Sequence, residues 1–184
     1  MNVIAAERIT ESVRRLFMDA AVRLPDDVMA ALKQRRTEED WAPARSVLDQ
    51  LIRNNELAVE EDMPICQDTG MAVVWMQIGQ DVHIEGGLTE AVNEGVRRGY
   101  SDGCLRKSIV ADPLRRANTG DNTPAALVTD IVPGDSITIT CAPKGFGCEN
   151  MSRLTMLSPS AGLDGVKSFV LDTVRQAGPN ACPP

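Results

Sequence analysis

Apolar residues recur at helical spacing in two runs within the first sixty positions of the chain. The first run consists of Ile9, Val13, Leu16 and Phe17, and the second of Ala44, Val47, Leu48, Leu51 and Ile52. Spacing of three or four positions gathers side chains on one face of an α-helix. Asp26 or Asp27 is well placed to cap a further helix between the two runs. Residues 1–60 are therefore predicted to form a helical N-terminal section.

Beyond residue 60, short apolar runs typical of strands alternate with helical patterns. The predicted strands are MAVVWMQIG, ALVTDIV and SITITCA, the last two on either side of a PGD turn. The predicted helices are LTEAVNEGVRRGY and LDGVKSFVLDTVRQAG, and Gly178 and Pro179 end the second. This pattern indicates an α/β fold, with a mixed sheet and packed helices behind the helical section. Residues 61–184 are expected to be the α/β core of one domain.

Composition supports a globular protein. Apolar residues make up 43% and charged residues 24% of 184 positions, which is ordinary for a folded domain. The first residues lack the apolar core of a signal peptide, and no window approaches a membrane span. We therefore expect a cytoplasmic chain with no membrane association. Its five cysteines are expected to be reduced ligands, nucleophiles or buried residues rather than disulfides.

The charge is unevenly distributed. The formal net charge is -7, which argues against nucleic-acid binding because phosphate recognition needs a basic face. Between Gly95 and Gly120, however, six basic residues face only two acidic ones, a local excess of four positive charges. Two interpretations stay open for this cationic segment. It is either solvated loop charge or a pocket for a small anion held by guanidinium groups.

Candidate chemistry is concentrated in five connecting segments. They read PICQDTG, LRKSIVADPL, NTGDNTPA, KGFGCENMS and GPNACPP, and connections are where a scaffold usually displays functional groups. No CxxC pair occurs, which excludes zinc-ribbon and ferredoxin patterns. Cys66 and Cys182 each lie close to proline, which stiffens the backbone that presents a thiol. Cys104 and Cys141 are expected to be small buried hydrophobic residues.

Taken together, in this order and spacing, the five motifs resemble the α region of the class I, iron-sulfur-dependent fumarate hydratase and L-tartrate dehydratase family. The resemblance is strong over residues 60–184 and loose over the helical section. It implies a hydro-lyase that interconverts a 2-hydroxy dicarboxylate and its unsaturated product, such as malate and fumarate. It also implies a [4Fe-4S] cluster on three cysteines, with one open iron acting as a Lewis acid on the substrate hydroxyl.

The resemblance also implies roles for particular residues. Cys66 matches the first cluster ligand and Cys182 the second. Gln67 and Asp68 match residues beside the substrate, with Asp68 a candidate for proton transfer. By the same resemblance, Arg106 matches a clamp for a substrate carboxylate. Gly147, in the glycine-rich segment, matches a backbone wall of the substrate site.

Some features depart from the family pattern and leave alternatives open. The third cluster cysteine is expected beyond Pro184, unless Cys148 or another thiol of this chain substitutes for it. The remaining site residues are expected on a β subunit or C-terminal domain in a homo- or hetero-oligomer. In the glycine-rich segment, Phe146 and Cys148 replace a glycine and a serine. The alternatives are an L-tartrate dehydratase α subunit, or a non-catalytic fragment that binds no cluster and docks to a partner subunit. Zinc on Cys66 and Cys182 is a weaker third option.

Overall fold

The computed structural model describes residues 2–181, apart from the side chain of Cys148. The chain divides into two compact units, with the division between Lys144 and Gly145. The helices of the first unit are α1 (Ala6–Val22), α2 (Asp26–Glu38), α3 (Ala42–Glu61) and α4 (Leu88–Asp102). Its strands are β1 (Asn2–Ala5), β2 (Met71–Gly79), β3 (Val82–Glu85), β4 (Ala126–Val132) and β5 (Ile137–Lys144). No described helix is long and apolar enough to cross a membrane.

A mixed three-stranded sheet forms the centre of the first unit. Its strand order is β4-β2-β5, with β4 parallel and β5 antiparallel to β2. The two strands predicted on either side of the PGD turn are present, but they do not pair with each other because β2 lies between them. β1 and β3 form a separate parallel pair. The pattern of the first residues did not predict β1.

The core of the first unit lies where α1 and α4 cover one face of this sheet. Alternate side chains of β2 point into it, as the period of two of a strand requires. The buried β2 residues are Ala72, Val74, Met76 and Ile78, and the helices contribute Val13, Phe17, Val92, Val96 and Tyr100, among others. The helical spacing of the first apolar run is thus confirmed as a core face.

The packing of α1 against α4 depends on glycine. A Cβ atom on Gly95 would lie 2.6 Å from the carbonyl oxygen of Thr10 and 2.8 Å from the Cβ of Val13. On Gly99 it would lie 3.0 Å from the carbonyl oxygen of Arg14. The two helices therefore approach closely because α4 carries no side chain at these positions.

The second unit contains α5 (Gly162–Ala177) and three single 3-10 turns, at Gly147–Glu149, Pro159–Ala161 and Gly178–Asn180. The predicted helix is present as α5. The apolar side chains that share one face of it are exposed, namely Leu163, Val166, Val170 and Val174. Within this unit the Arg153 guanidinium lies 5.4 Å from the centre of the Phe169 ring, a cation-π distance.

The predicted fold class is confirmed: an α/β fold with a mixed sheet, packed helices and N-terminal helices. One local detail differs. Asp26 and Asp27 do not cap α2, because its N-cap is Pro25 and both aspartates lie in the first turn. There their charges still favour the helix through its dipole. The interpretation of residues 61–184 as one core stays a prediction.

Candidate active site

The PICQDTG segment connects α3 to β2 and is fixed at both ends. The Ile65 N-H donates to the carbonyl of Ala21 at 2.9 Å, which attaches the segment to the end of α1. Thr69 is buried, as is Gly70, which adopts a left-handed φ of 53°. Between these fixed ends Cys66 and Gln67 are exposed. The segment therefore displays its reactive side chains on a constrained backbone.

The sulfur of Cys66 lies among polar groups of its own segment. Its Sγ accepts a hydrogen bond from the Asp68 N-H at 3.4 Å, and the thiol donates to Gln67 Oε1, also at 3.4 Å. The side chain of Cys66 therefore contacts the Gln67 side chain and the Asp68 backbone.

Arg106 lies on the segment that follows α4, and this segment is joined to the PICQDTG segment. The hydroxyl of Thr69 donates to the carbonyl of Arg106 at 3.0 Å. The hydroxyl of Tyr100, which is fully buried, donates to the carbonyl of Thr69 at 2.8 Å. Burial raises the pKa of the Tyr100 hydroxyl, so it stays a proton donor. The Arg106 side chain itself is exposed.

Part of the cationic segment is neutralised within the structure. Arg97 pairs with Asp121 and Glu94, and Arg98 pairs with Glu94 and Glu7. In the described chain, by contrast, the four remaining basic side chains form no ion pair. They are Arg106, Lys107, Arg115 and Arg116. The positive charge available to an anion is therefore concentrated after α4, on the segment that carries Arg106.

Asp121 is held as a carboxylate. Partial burial raises its pKa, but hydrogen bonds from the N-H and hydroxyl of Thr123, together with the Arg97 guanidinium, lower it to about 2. The adjacent Asn122 is fully buried and bonds to both segments of the site. The sequence patterns did not assign a role to Thr69, Tyr100 or Asn122. The only signal was that Thr69 and Asn122 each lie in one of the five motifs.

The second unit brings two of the motifs together. The Asn150 side-chain amide, in the glycine-rich segment, donates to the carbonyl of Asn180 at 2.8 Å. Gly147 begins the 3-10 turn just before Asn150 and is half-buried. Asn180 lies two positions before Cys182, which is outside the described residues. The glycine-rich segment thus contacts the GPNACPP motif at Asn180.

Cys141 and Cys104 differ in their exposure to solvent. Cys141 packs against the core, and burial raises its pKa to about 12, as expected of a buried hydrophobic residue. The same expectation for Cys104 is wrong, because its side chain is exposed. The chain leaves α4 with Cys104 at a left-handed φ of 52°, and Leu105 rather than Cys104 enters the core.

A [4Fe-4S] cluster of the kind that the family resemblance implies needs cysteine ligands that are grouped around one position. Across residues 2–181, no three His, Cys, Asp or Glu side chains are grouped to hold a metal ion. Cys66 fits one ligand position, since it is exposed, lies on a constrained segment and receives an N-H at its sulfur. The ligand assignment of Cys182 stays a prediction.

An open cavity of about 750 Å³ lies elsewhere in the first unit, between α1, the end of α3 and β5. Among its lining residues are Arg15, Val22 and Ile137, and none of the predicted site residues of the described chain. Its position therefore does not change the assignment of the candidate site to the segments before β2 and after α4.

Comparison with known proteins identifies the family. A family model described as fumarate hydratase (fumerase) matches residues 10–184. The chain belongs to this family. A Methanocaldococcus jannaschii protein named, provisionally, L(+)-tartrate dehydratase subunit alpha is 38% identical to it, over 96% of this chain and 64% of that protein. L(+)-tartrate dehydratase subunit alpha of Escherichia coli strain K12 is 31% identical, over 98% of this chain and 60% of that subunit.

These comparisons confirm the family resemblance of the five motifs. The chain spans about 60 to 64% of the length of these curated relatives. The named relatives are tartrate dehydratase subunits, which favours the alternative stated from the sequence over the malate and fumarate interpretation.

Proposed function

We propose that this chain is part of the α subunit of an L-tartrate dehydratase, a hydro-lyase that works with a [4Fe-4S] cluster and a β partner subunit. The names of the relatives support the substrate and the partner. The structural observation that carries the proposal is the hydrogen bond from Thr69 Oγ1 to the carbonyl of Arg106. It joins the segment that bears Cys66 and Asp68 to the segment that bears Arg106.

The proposed reaction is elimination of water from a small diacid. One carbon loses a proton to a base, the neighbouring carbon loses its hydroxyl, and the two combine as water. From a 2,3-dihydroxy diacid this leaves an enol, which becomes a 2-oxo diacid by moving one proton. When bound, the cluster supplies a Lewis-acid iron that makes the hydroxyl a better leaving group.

The residues of this chain bind and orient the diacid in this proposal. Arg106 holds one carboxylate with its planar guanidinium, as the unpaired positive charge after α4 permits. Gln67 donates its amide to the substrate, and the backbone at Gly147 forms part of the wall of the substrate site. Asp68 transfers the proton, since it lies directly beside the two residues assigned to substrate and cluster.

Cys66 and Cys182 are the proposed cluster ligands of this chain. Cys66 meets the requirements of a thiolate ligand in its exposure and in the N-H bond to its sulfur. The third ligand, in this proposal, comes from the part of the α subunit that this chain does not span. The complete enzyme therefore requires a longer α subunit together with its β partner.

Fumarate hydratase is the second candidate, favoured by the description of the matching family model. The test uses the complete α subunit containing this chain, co-expressed with its β partner and purified without oxygen. Formation of the 2-oxo acid from L-tartrate is compared with formation of fumarate from malate. A higher kcat/KM for L-tartrate supports the proposal, and a higher kcat/KM for malate supports fumarate hydratase. An enzyme with full iron content and no turnover of either diacid contradicts both, and leaves a non-catalytic role.

A further inference from the structure

Asn122 is a polar residue in an unusual position. Its side chain is completely buried, and its backbone has a left-handed φ of 62°. Asparagine adopts this backbone conformation more readily than most residues. A buried amide is tolerated only when its hydrogen-bonding groups have partners. The partners of Asn122 therefore explain why a polar side chain occupies this site.

The Asn122 amide bonds to the backbone on both sides of the candidate active site. Its Oδ1 accepts the N-H of Ser108 at 2.7 Å and the N-H of Ile109 at 3.1 Å. Its Nδ2 donates to the carbonyl of Gly70 at 3.1 Å. Gly70 ends the PICQDTG segment, and Ser108 lies two positions after Arg106. One side chain thus joins the two segments.

Neighbouring hydrogen bonds reinforce the same connection. Thr69, only 5% exposed, donates its hydroxyl to the carbonyl of Arg106. Asn118, from the same motif as Asn122, donates its amide to the carbonyl of Lys107 at 2.9 Å. The backbone from Arg106 to Ile109 is consequently fixed relative to Thr69 and Gly70.

We propose that Asn122, together with Thr69, is a positioning residue for diacid binding. The two side chains set the separation between the backbone of Asp68 and that of Arg106 without contacting the substrate. This inference rests on the proposed function, in which Arg106 holds a substrate carboxylate and Asp68 lies at the reacting carbon. A small displacement of such groups is enough to weaken binding of a short, charged substrate.

Three variants test the hydrogen bonds of the Asn122 and Thr69 side chains separately. Asn122→Asp has the same shape and keeps the acceptor for Ser108 and Ile109, but its carboxylate cannot donate to Gly70. Asn122→Gly keeps the left-handed backbone and removes all three bonds. Thr69→Val removes the bond to Arg106 and leaves Asn122 in place. Thr173→Val is the matched control, since Thr173 also donates its hydroxyl to a backbone carbonyl, that of Phe169, at 2.7 Å.

The first measurement is amide hydrogen exchange on this chain, which requires no activity. In Asn122→Gly we expect loss of protection at Ser108 and Ile109. In Asn122→Asp, which keeps the acceptor for these two N-H groups, we expect their protection to be retained and protection to fall only in the segment around Gly70. Protection in α2 is expected to stay at the wild-type level in both variants, since the described side-chain hydrogen bonds and ion pairs of α2 do not involve Asn122. Unchanged protection of Ser108 and Ile109 in Asn122→Gly overturns the proposal.

The second measurement is steady-state kinetics on the assembled enzyme, well below the unfolding temperature. We expect KM for L-tartrate to rise at least about tenfold in Asn122→Asp and Thr69→Val, with kcat changed less. Inhibition by succinate is expected to weaken more than inhibition by glutarate, because the spacing of the binding groups has changed. If the two residues have only a structural role, the variants lower the amount of active enzyme but leave KM and the relative inhibition by succinate and glutarate unchanged. That result overturns the proposal.

The two measurements separate failure of this inference from failure of the proposed function. If the wild-type enzyme acts on neither L-tartrate nor malate, the proposed function is wrong, and hydrogen exchange still decides whether Asn122 joins the segments. If the wild-type enzyme is active and exchange changes while KM does not, only the positioning role is wrong. If Asn122→Gly does not fold, Thr69→Val decides, and an unchanged KM in it contradicts the inference.

Discussion

Arg97 Nε lies 3.0 Å from Asp121 Oδ2, and this ion pair joins α4 to the NTGDNTPA segment. Asp121 also accepts the N-H and the hydroxyl of Thr123, 2.8 to 3.0 Å from its Oδ1. These bonds lower the pKa of Asp121 to about 2 in spite of its partial burial. Since Asn122 follows directly, the pair supports the segment that joins the two sides of the candidate site.

The low pKa of Asp121 predicts a pH-dependent contribution to stability. Its native pKa of about 2 lies below the ordinary 3.8, so the contribution is complete above about pH 4. It is lost as the pH falls toward 2. We expect Asp121→Asn to lower the free energy of unfolding by about 1 to 2 kcal/mol at pH 7, and the difference from wild type to shrink between pH 4 and pH 2.

Urea unfolding across this pH range measures the effect. Asp130→Asn is the matched control, because Asp130 is exposed and has no ion pair within the described structure. We expect this control to change stability by less than about 0.5 kcal/mol. If Asp121→Asn lowers the free energy of unfolding by the same amount at pH 2 and pH 7, the low pKa assigned to Asp121 is wrong.

Tyr100→Phe tests the hydrogen bond that supports Thr69. The change removes the hydroxyl that donates to the carbonyl of Thr69 and leaves that carbonyl without this partner. The expected loss is about 1 to 3 kcal/mol in the free energy of unfolding. Denaturant titration followed by tryptophan fluorescence measures it. Ser12→Ala removes an exposed hydroxyl that bonds to the Arg8 carbonyl, and an equal loss in this control means that the buried position of Tyr100 is unimportant.

Gly95→Ala tests the close contact of α1 with α4. The new Cβ would lie 2.6 Å from the Thr10 carbonyl oxygen, so the helices must separate. We expect the forced separation to lower the free energy of unfolding by about 1 to 3 kcal/mol. The higher helix propensity of alanine raises it by less than about 1 kcal/mol. Gly99→Ala, with its nearest atom at 3.0 Å, is expected to cost less. Thermal unfolding compares the stability of the two variants. If Gly95→Ala is more stable than wild type, α1 and α4 can move apart without a cost in stability.

Arg106→Lys tests the proposed carboxylate clamp. Lysine keeps the charge but loses the planar pair of donors. On the assembled enzyme we expect KM for L-tartrate to rise about tenfold to a hundredfold, about 1.4 to 2.7 kcal/mol in binding. Arg115→Lys is the control, since Arg115 is also exposed on the cationic segment and has no ion pair among the described residues. Equal effects in the two variants would indicate general attraction of the anion rather than a clamp.

Cys66→Ser tests the proposed cluster ligand. In the complete α subunit, reconstituted without oxygen, we expect the variant to lose most of its iron and its broad visible absorbance. A serine oxygen is a poor substitute for a thiolate in binding iron. Cys104→Ser changes the other cysteine that is exposed in the described first unit and is expected to retain the wild-type iron content. Iron retained in Cys66→Ser rejects the assignment.

Most of the local structure can be predicted from the pattern of residues along the chain. The apolar run at Ile9, Val13 and Phe17 predicted the core face of α1, and MAVVWMQIG predicted β2 over the residues that form it. Such patterns can be recognised from sequence because a helix or strand is encoded in the spacing of its own side chains. The five motifs also identified the family, since their order and spacing are specific to it.

The tertiary structure is needed to establish which segments meet. It placed β2 between β4 and β5, although these two follow each other in the chain. It joined Thr69 to Arg106 across 37 positions and Asn122 to Gly70 across 52. No local pattern encodes such contacts, because a buried hydroxyl or amide takes whichever partner the packing of distant segments brings within reach. The same packing left Cys104 exposed and put Leu105 in the core.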